Sequence, residues 1–310
     1  MRIIITGGTG LIGKALAQRL AAANYDIIIL TRNPDKAIGL PAGVRAVKWD
    51  GRTAQGWGHL ADGAKAIINL AGASIAGDGF IPSRWTEKRK KLIKDSRVQA
   101  GQAVVDAVTA AATKPEVIIQ ASAVGYYGGR GDEVLTEAAT PGHDFVAEVC
   151  KVWEKSIQSV KTQGVRLVTI RTGVVLSTQG GAFPLLLLPH KLFVGGPMGK
   201  GQQWLPWIHL EDEVQAIQFL MENSQAHGVY NLCAPEAVTN RTMSKTIGKA
   251  IKRPSFLPVP AFALRLLLGE TASLVLDSQR QRPQRLQDAG FTFTHPELLA
   301  AIRHLIQHKQ

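Results

Sequence analysis

The first thirteen residues constrain this chain more than any other stretch. Arg2 to Thr6 is a short isoleucine-rich run, Gly7-Gly8-Thr9-Gly10-Leu11-Ile12-Gly13 follows at once, and Leu11, Ile12, Ala15, Leu16, Ala17 and Leu20 then recur at helical spacing. That order reads as strand, tight turn, helix. Gly7, Gly10 and Gly13 fit G-x-x-G-x-x-G, and Gly8, Gly10 and Gly13 fit G-x-G-x-x-G. Placed between strand and helix, such glycines permit the turn, let a pyrophosphate approach the backbone N–H groups at the helix start, and let helix pack closely on strand. A dinucleotide is the ligand this turn leads one to expect.

The same rhythm continues. Asp26 to Leu30, Val44 to Val47, Ala66 to Leu70, Val117 to Ala121 and Val165 to Ile170 read as further buried strands; the long segment between the fourth and fifth reads as helix, as does Phe145 to Val160. Continuous apolar strands alternating with helices indicate a parallel sheet covered on both faces. The fold expected is α/β, a Rossmann doubly wound parallel sheet, with its ligand crevice above the first and fourth strands.

Beyond about Leu176 the pattern changes to loops rich in proline and glycine, Gly195 to Gly201 and Pro254 to Pro260, with helical segments at Asp212 to Glu222, Met243 to Ala250, Ala263 to Leu268 and Pro296 to Ile306. This predicts a smaller, mostly helical C-terminal lobe. Because Gly228 to Cys233 again reads as a strand returning to the sheet, the expected division is a nucleotide-binding domain over 1–235, with a lobe insertion at about 177–206, and a lobe over 236–310.

Composition excludes several alternatives. Met1 to Gly10 has too short an apolar run for a secretory signal, and the later apolar stretches are broken by Arg265 and Glu270 or by Pro184 and Pro189, so no membrane span and a cytoplasmic protein are expected. Cys150 and Cys233 are the only cysteines, which argues against a disulfide framework or thiolate metal site, and the eight histidines are scattered with no ligand pair. No metal is expected. The net charge of +12 is spread along the chain, and its dense runs, Lys88 to Lys94 and Arg280 to Arg285, lack aromatic interleaving, so an anionic small molecule is favoured over nucleic acid.

The choice of dinucleotide falls at the end of the second strand, where an Asp or Glu holds the ribose 2′-hydroxyl of NAD. Thr31-Arg32-Asn33 stands there instead. A guanidinium cannot accept from a hydroxyl but matches a 2′-phosphate in charge and fork geometry, so NADP is the cofactor expected, the plainer reading being a solvated loop arginine. Arg97 lies on the apolar face that Ile93, Ala100, Val104, Ala107, Val108 and Ala111 define. A cation on that stripe needs an anion, and both a cofactor phosphate or ribose edge and an internal carboxylate fit.

With those residues in place, the chain resembles the extended short-chain dehydrogenases and reductases. Gly7 to Gly13, Asn69-Leu70-Ala71-Gly72, Gly125-Tyr126-Tyr127-Gly128 and Arg171-Thr172-Gly173-Val174-Val175-Leu176 occur in order with that spacing. Gly195 to Gln202 with Pro206-Trp207-Ile208-His209, and the tail from Leu264 to Phe291, are similar to the atypical branch called epimerase family proteins, which carry a small C-terminal domain of unknown function. The resemblance implies cofactor contacts at Thr9, Gly10, Leu11 and Ile12, at Thr31 and Arg32, at Leu70 and Ala71, at Leu92 and Arg97, and at Gly173 and Val174.

It also implies chemistry that the residues do not supply. Such enzymes use Tyr-x-x-x-Lys on the helix after the fifth strand, where the ammonium one turn away lowers the phenol's pKa. The residues four beyond Tyr25, Tyr126, Tyr127 and Tyr230 are Ile29, Arg130, Gly131 and Ala234, so the pair is absent, and aligning on Glu154 puts Val146 and Cys150 in its place. Two readings stand. In one the protein is an NADP(H)-dependent oxidoreductase or epimerase-like enzyme acting on a small molecule, with Ser122, Tyr126 or Tyr127 as substitute acid, unless those tyrosines serve packing alone; in the other it binds NADPH without turnover, as a sensor or regulator. His209 and Asp212 can be drawn as an acid pair, but Asp212 at a helix start reads more simply as an N-cap.

Overall fold

The isoleucines at the N-terminus form β1 (Arg2–Thr6), and their alternation divides them between the two faces of a sheet. β1 lies at the centre of seven parallel strands: β2 (Asp26–Thr31), β3 (Val44–Lys48), β4 (Ala66–Asn69), β5 (Val117–Ala123), β6 (Arg166–Thr172) and β7 (Gly228–Leu232) complete the set, in the spatial order β7-β6-β5-β4-β1-β2-β3. The order reverses beside β1, so its C-terminal end and that of β4 open on one crevice. The computed structural model describes residues 1–308 apart from 38, 78, 80 and 81.

Ile3, Ile5, Ile27, Ile29, Ile68, Ile119 and Val168 face one way, against Leu16 and Leu20 of α1 (Leu11–Ala22) and Ile217 and Leu220 of a helix over Leu210–Glu222. Ile4, Ile28, Leu30, Ile67, Ile118 and Leu167 face the other, against Ala100, Val104, Ala107 and Val108 of α2 (Glu87–Ala110). Both layers are fully dry, and each buried isoleucine removes apolar area worth roughly 1.5–3 kcal/mol. α3 (Phe145–Lys155) packs beside α2, followed by α4 (Phe183–Lys191), α5 (Leu210–Glu222), α6 (Asn240–Ile251), α7 (Ala261–Leu268) and α8 (Leu298–Gln307).

The lobe has its own apolar centre. Phe183 and Leu187 of α4, Met243 and Ile247 of α6, and Leu298, Ala301, Ile302 and Leu305 of α8 meet Leu176 and Trp207, which sit on the short parallel ladder Val174–Leu176 with Trp207–His209 just beyond β6. The spacing of the α8 residues is a single helical stripe. A second ladder, Arg280–Gln281 on Val134–Leu135, joins the tail to the loop after β5. Among the described residues no helix is long and apolar enough to cross a membrane.

Three expectations shift. The described part of the segment between β4 and β5 is helical only from Glu87, where Thr86 caps the helix by accepting from the Arg89 N–H; the described residues before it are loop. α3 stops at Lys155, where Ser156 turns its hydroxyl onto the Trp153 carbonyl and fills the space beside Gly101. β6 runs two residues past Ile170, because Arg171 and Thr172 still pair with Ser122 and Ala123 of β5. A buried arginine inside a strand hides that strand's end from a hydropathy reading.

Candidate functional site

At the crevice the glycines divide by what they permit. Gly7 has a φ of +69°, and a Cβ there would lie 3.0 Å from the Leu70 carbonyl; at Gly13 a Cβ would come 2.4 Å from the Gly7 oxygen, and at Gly8 2.5 Å from the Ile29 side chain. Each holds α1 close to the sheet. Gly10 is the N-cap of α1 and offers no side chain to the first turn, so the N–H groups around Leu11 and Ile12 face outward beside exposed Thr9. The strand ends are locked together: the Thr6 hydroxyl donates to Asn69 Oδ1 at 2.6 Å and accepts from the Ala71 N–H at 3.1 Å, while Asn69 Nδ2 donates to Gln120 Oε1 at 2.8 Å. Buried and mutually satisfied, this network fixes Leu70 and Ala71 opposite the glycine turn.

Two cations border the crevice without anions of their own. Thr31 ends β2 with its hydroxyl accepting from the Asn33 N–H, and the exposed Arg32 guanidinium beyond it has no hydrogen-bond or ion-pair partner among the described residues. Arg97 leans from α2 across Gly72, where a Cβ would sit 3.0 Å from its Cζ. Its Nη1 donates to the Ala73 and Ile93 carbonyls at 2.9 and 3.0 Å, and its Cζ lies 4.7 Å from the Trp153 ring centroid. No carboxylate meets it among the described residues, so burial pushes its pKa down from 12.5 to about 10. The internal-carboxylate reading of Arg97 is corrected by this geometry. Leu92, one turn earlier, is half exposed.

At the C-terminal ends of β5 and β6 the polar residues form one buried chain. Ser122 donates to Glu154 Oε1 at 2.6 Å; Arg171 grips both Glu154 oxygens at 2.8 and 2.9 Å and donates to the Tyr127 hydroxyl at 3.0 Å; that hydroxyl donates to Asn231 Oδ1 at 2.7 Å. Tyr127 is wholly buried, and burial pushes its phenol up to about 12. Its oxygen has no face left for a substrate. Tyr126 differs: it is partly exposed, the Arg171 guanidinium lies 3.3 Å from its ring centroid, and its hydroxyl has no hydrogen-bond partner among the described residues. Gly173 follows β6 with its N–H on the Leu232 carbonyl, a Cβ there would lie 3.0 Å from the Pro206 oxygen, and Val174 continues into the short ladder.

The positions of the missing tyrosine and lysine are filled by packing. Val146 lies against Gly125, and Cys150 is buried with its thiol on the Ala123 carbonyl at 3.7 Å. Burial, with Glu154 nearby, pushes that thiol up to about 12, so it stays protonated. The Glu154–Arg171 pair is what the sequence reading missed. Its signal was an arginine inside an apolar strand, which needs a buried anion.

Two further expectations are corrected. Asp212 does not cap α5; its buried carboxylate accepts from the Thr294 and His295 backbone N–H groups at 2.7 and 3.0 Å, and the cap is His209, whose Nδ1 accepts from the Glu211 N–H at 3.0 Å. His209 therefore forms no pair with Asp212. Nor are the histidines all scattered: His209, His295 and His304 come together with Glu211, because the tail folds back over the start of α5.

With this geometry in hand, comparison with known proteins is informative. Residues 3–233 match the model described as the NAD dependent epimerase/dehydratase family, and residues 259–305 match a domain of unknown function. The chain is 39% identical to the chloroplastic epimerase family protein SDR39U1 homolog of Arabidopsis thaliana, over 99% of this chain and 87% of that one. It is 38% identical to the epimerase family protein YfhF of Bacillus subtilis, covering 100% and 99%. Among solved structures, human epimerase family protein SDR39U1 with NADPH superposes with a TM-score of 0.88 at 32% identity, covering 99% of this chain and 100% of that one.

Proposed function

This chain belongs to the NAD dependent epimerase/dehydratase family, and from that premise we propose that it is an NADPH-binding oxidoreductase whose acid is Tyr126 rather than a lysine-activated tyrosine. The observation that carries the cofactor choice is Arg32: exposed, unpaired among the described residues, and standing where an acid would select NAD. The glycine turn and the first turn of α1 would hold the pyrophosphate, Thr31 and Arg32 the 2′-phosphate, and Arg97 would supply a second cation from α2. The human relative crystallised with NADPH supports the same cofactor.

For the chemistry, the candidates reduce to one. Ser122 and Tyr127 spend their hydroxyls on Glu154, Arg171 and Asn231, whereas Tyr126 keeps its hydroxyl available and has the Arg171 guanidinium over its ring. NADPH would supply the hydride and Tyr126 the proton to a small carbonyl compound. The burial of Tyr127 and Cys150 also favours a second reading, NADPH binding without turnover. Incubating the NADPH complex with a panel of aldehydes and ketones and following absorbance separates them: oxidation that Tyr126→Phe abolishes supports the reductase, and a flat trace across the panel supports the sensor.

A further inference from the structure

The tail and the start of α5 build a cluster that the nucleotide site does not use. Trp207–His209 ends with His209 capping α5, Glu211 stands in the first turn, His295 lies in the loop that Asp212 holds by two backbone N–H groups, and His304 projects from α8. The rings lie close and tilted: centroids of His209 and His295 are 3.8 Å apart, those of His295 and His304 4.4 Å. His295 Nε2 is 2.9 Å from Glu211 Oε2, His304 Nδ1 is 3.2 Å from His209 Nε2, and one ligand atom from each of the four side chains falls within 4.8 Å of all the others.

We propose that His209, Glu211, His295 and His304 bind one divalent transition-metal ion of the zinc class. Three imidazoles and a carboxylate are the donors such ions take, and tetrahedral bonds of about 2.0–2.1 Å put ligand atoms roughly 3.3 Å apart, close to the two shortest pairs here. His209 and His295 are buried while Glu211 and His304 reach solvent, so an ion has a route in. Since Nδ1 of His209 accepts from the Glu211 N–H, its proton sits on Nε2 in the metal-free form. Coordination at Nε2 moves that proton to Nδ1 and breaks the cap. The ion then ties α8 and its preceding loop to α5 in place of that hydrogen bond.

The test is calorimetric titration of zinc chloride into the full chain after dialysis against a chelator. One ion per chain should bind with micromolar or tighter affinity, raising the melting temperature by roughly 5 °C at a hundredfold excess over Kd. Affinity should fall at least about a hundredfold in the double variant His295→Gln/His304→Gln. Cobalt(II) in the unmutated chain should give the strong visible bands of tetrahedral coordination, a readout independent of whether that variant folds. His304→Gln, which alters a half-buried ring, and Glu211→Gln check the ligands singly. No saturable zinc binding, octahedral-type weak cobalt bands, or unchanged zinc affinity in both single variants would overturn the site.

Discussion

Arg97 is a guanidinium held by two carbonyls and a ring with no carboxylate opposite among the described residues, and such a group costs the empty protein stability. Burial lowers its pKa but leaves the group charged across the neutral range, so that cost is present at every pH there. Arg97→Met should therefore leave the melting temperature of the empty protein no lower by more than a degree or two, with a difference from the parent that does not change across the neutral range. The same substitution should weaken NADPH at least about tenfold by titration. A loss of several degrees with affinity spared would make Arg97 a structural residue. The tyrosines should separate in the opposite sense: Tyr127→Phe strands Asn231 and Arg171 and should cost about 1–3 kcal/mol in urea unfolding, while turnover per folded molecule persists. Tyr126→Phe should unfold like the parent and lose roughly a hundredfold or more in turnover. Full activity of Tyr126→Phe alongside an inactive but folded Tyr127→Phe would reverse the assignment. Native Cys150, buried and protonated, should resist iodoacetamide at mildly alkaline pH and label only on unfolding.

At the scale of elements, periodicity made the sheet legible and left the polar interior hidden. Ile3, Ile4 and Ile5 announce a strand buried on both faces, and Gly7, Gly8 and Gly13 announce a turn that no Cβ can enter. Arg32 and Arg97 could be placed near the crevice because one follows a strand end and the other rides an apolar helical stripe. What could not be read was any pairing across long sequence separation. Arg171 meets Glu154 from another element, and His209 meets His295 and His304 only because the tail returns over α5. Asp212 looked like a cap for the same reason, since its true partners are backbone groups 82 and 83 residues away. The lobe's stability should rest on the α8 stripe: Ile302→Ala should cost about 2–5 kcal/mol in chemical denaturation, whereas Leu266→Ala on the exposed side of α7 should stay within about 0.5 kcal/mol of the parent. Equal effects of the two would mean that α8 is not held by its apolar face.

On the scale of the whole molecule, the sheet brings one glycine turn at a helix start, two cations without carboxylate partners among the described residues and a partly exposed phenol to the same edge, and the lobe closes the far side through α4, α6 and α8. In a chain with a net charge of +12, such cations add to the self-repulsion of the empty protein, and an anionic ligand relieves it. Of all the proposed features, the selection of a 2′-phosphate by Arg32 would bind sequence, fold and cofactor most closely together. Dissociation constants for NADPH and NADH, measured side by side on the unmutated protein and on Arg32→Ala, test it directly. The expected result is NADPH tighter by roughly 10- to 100-fold, the worth of one or two charge-assisted hydrogen bonds, with the advantage lost in Arg32→Ala and NADH unaffected. Equal affinity for the two cofactors in the unmutated protein would contradict the account.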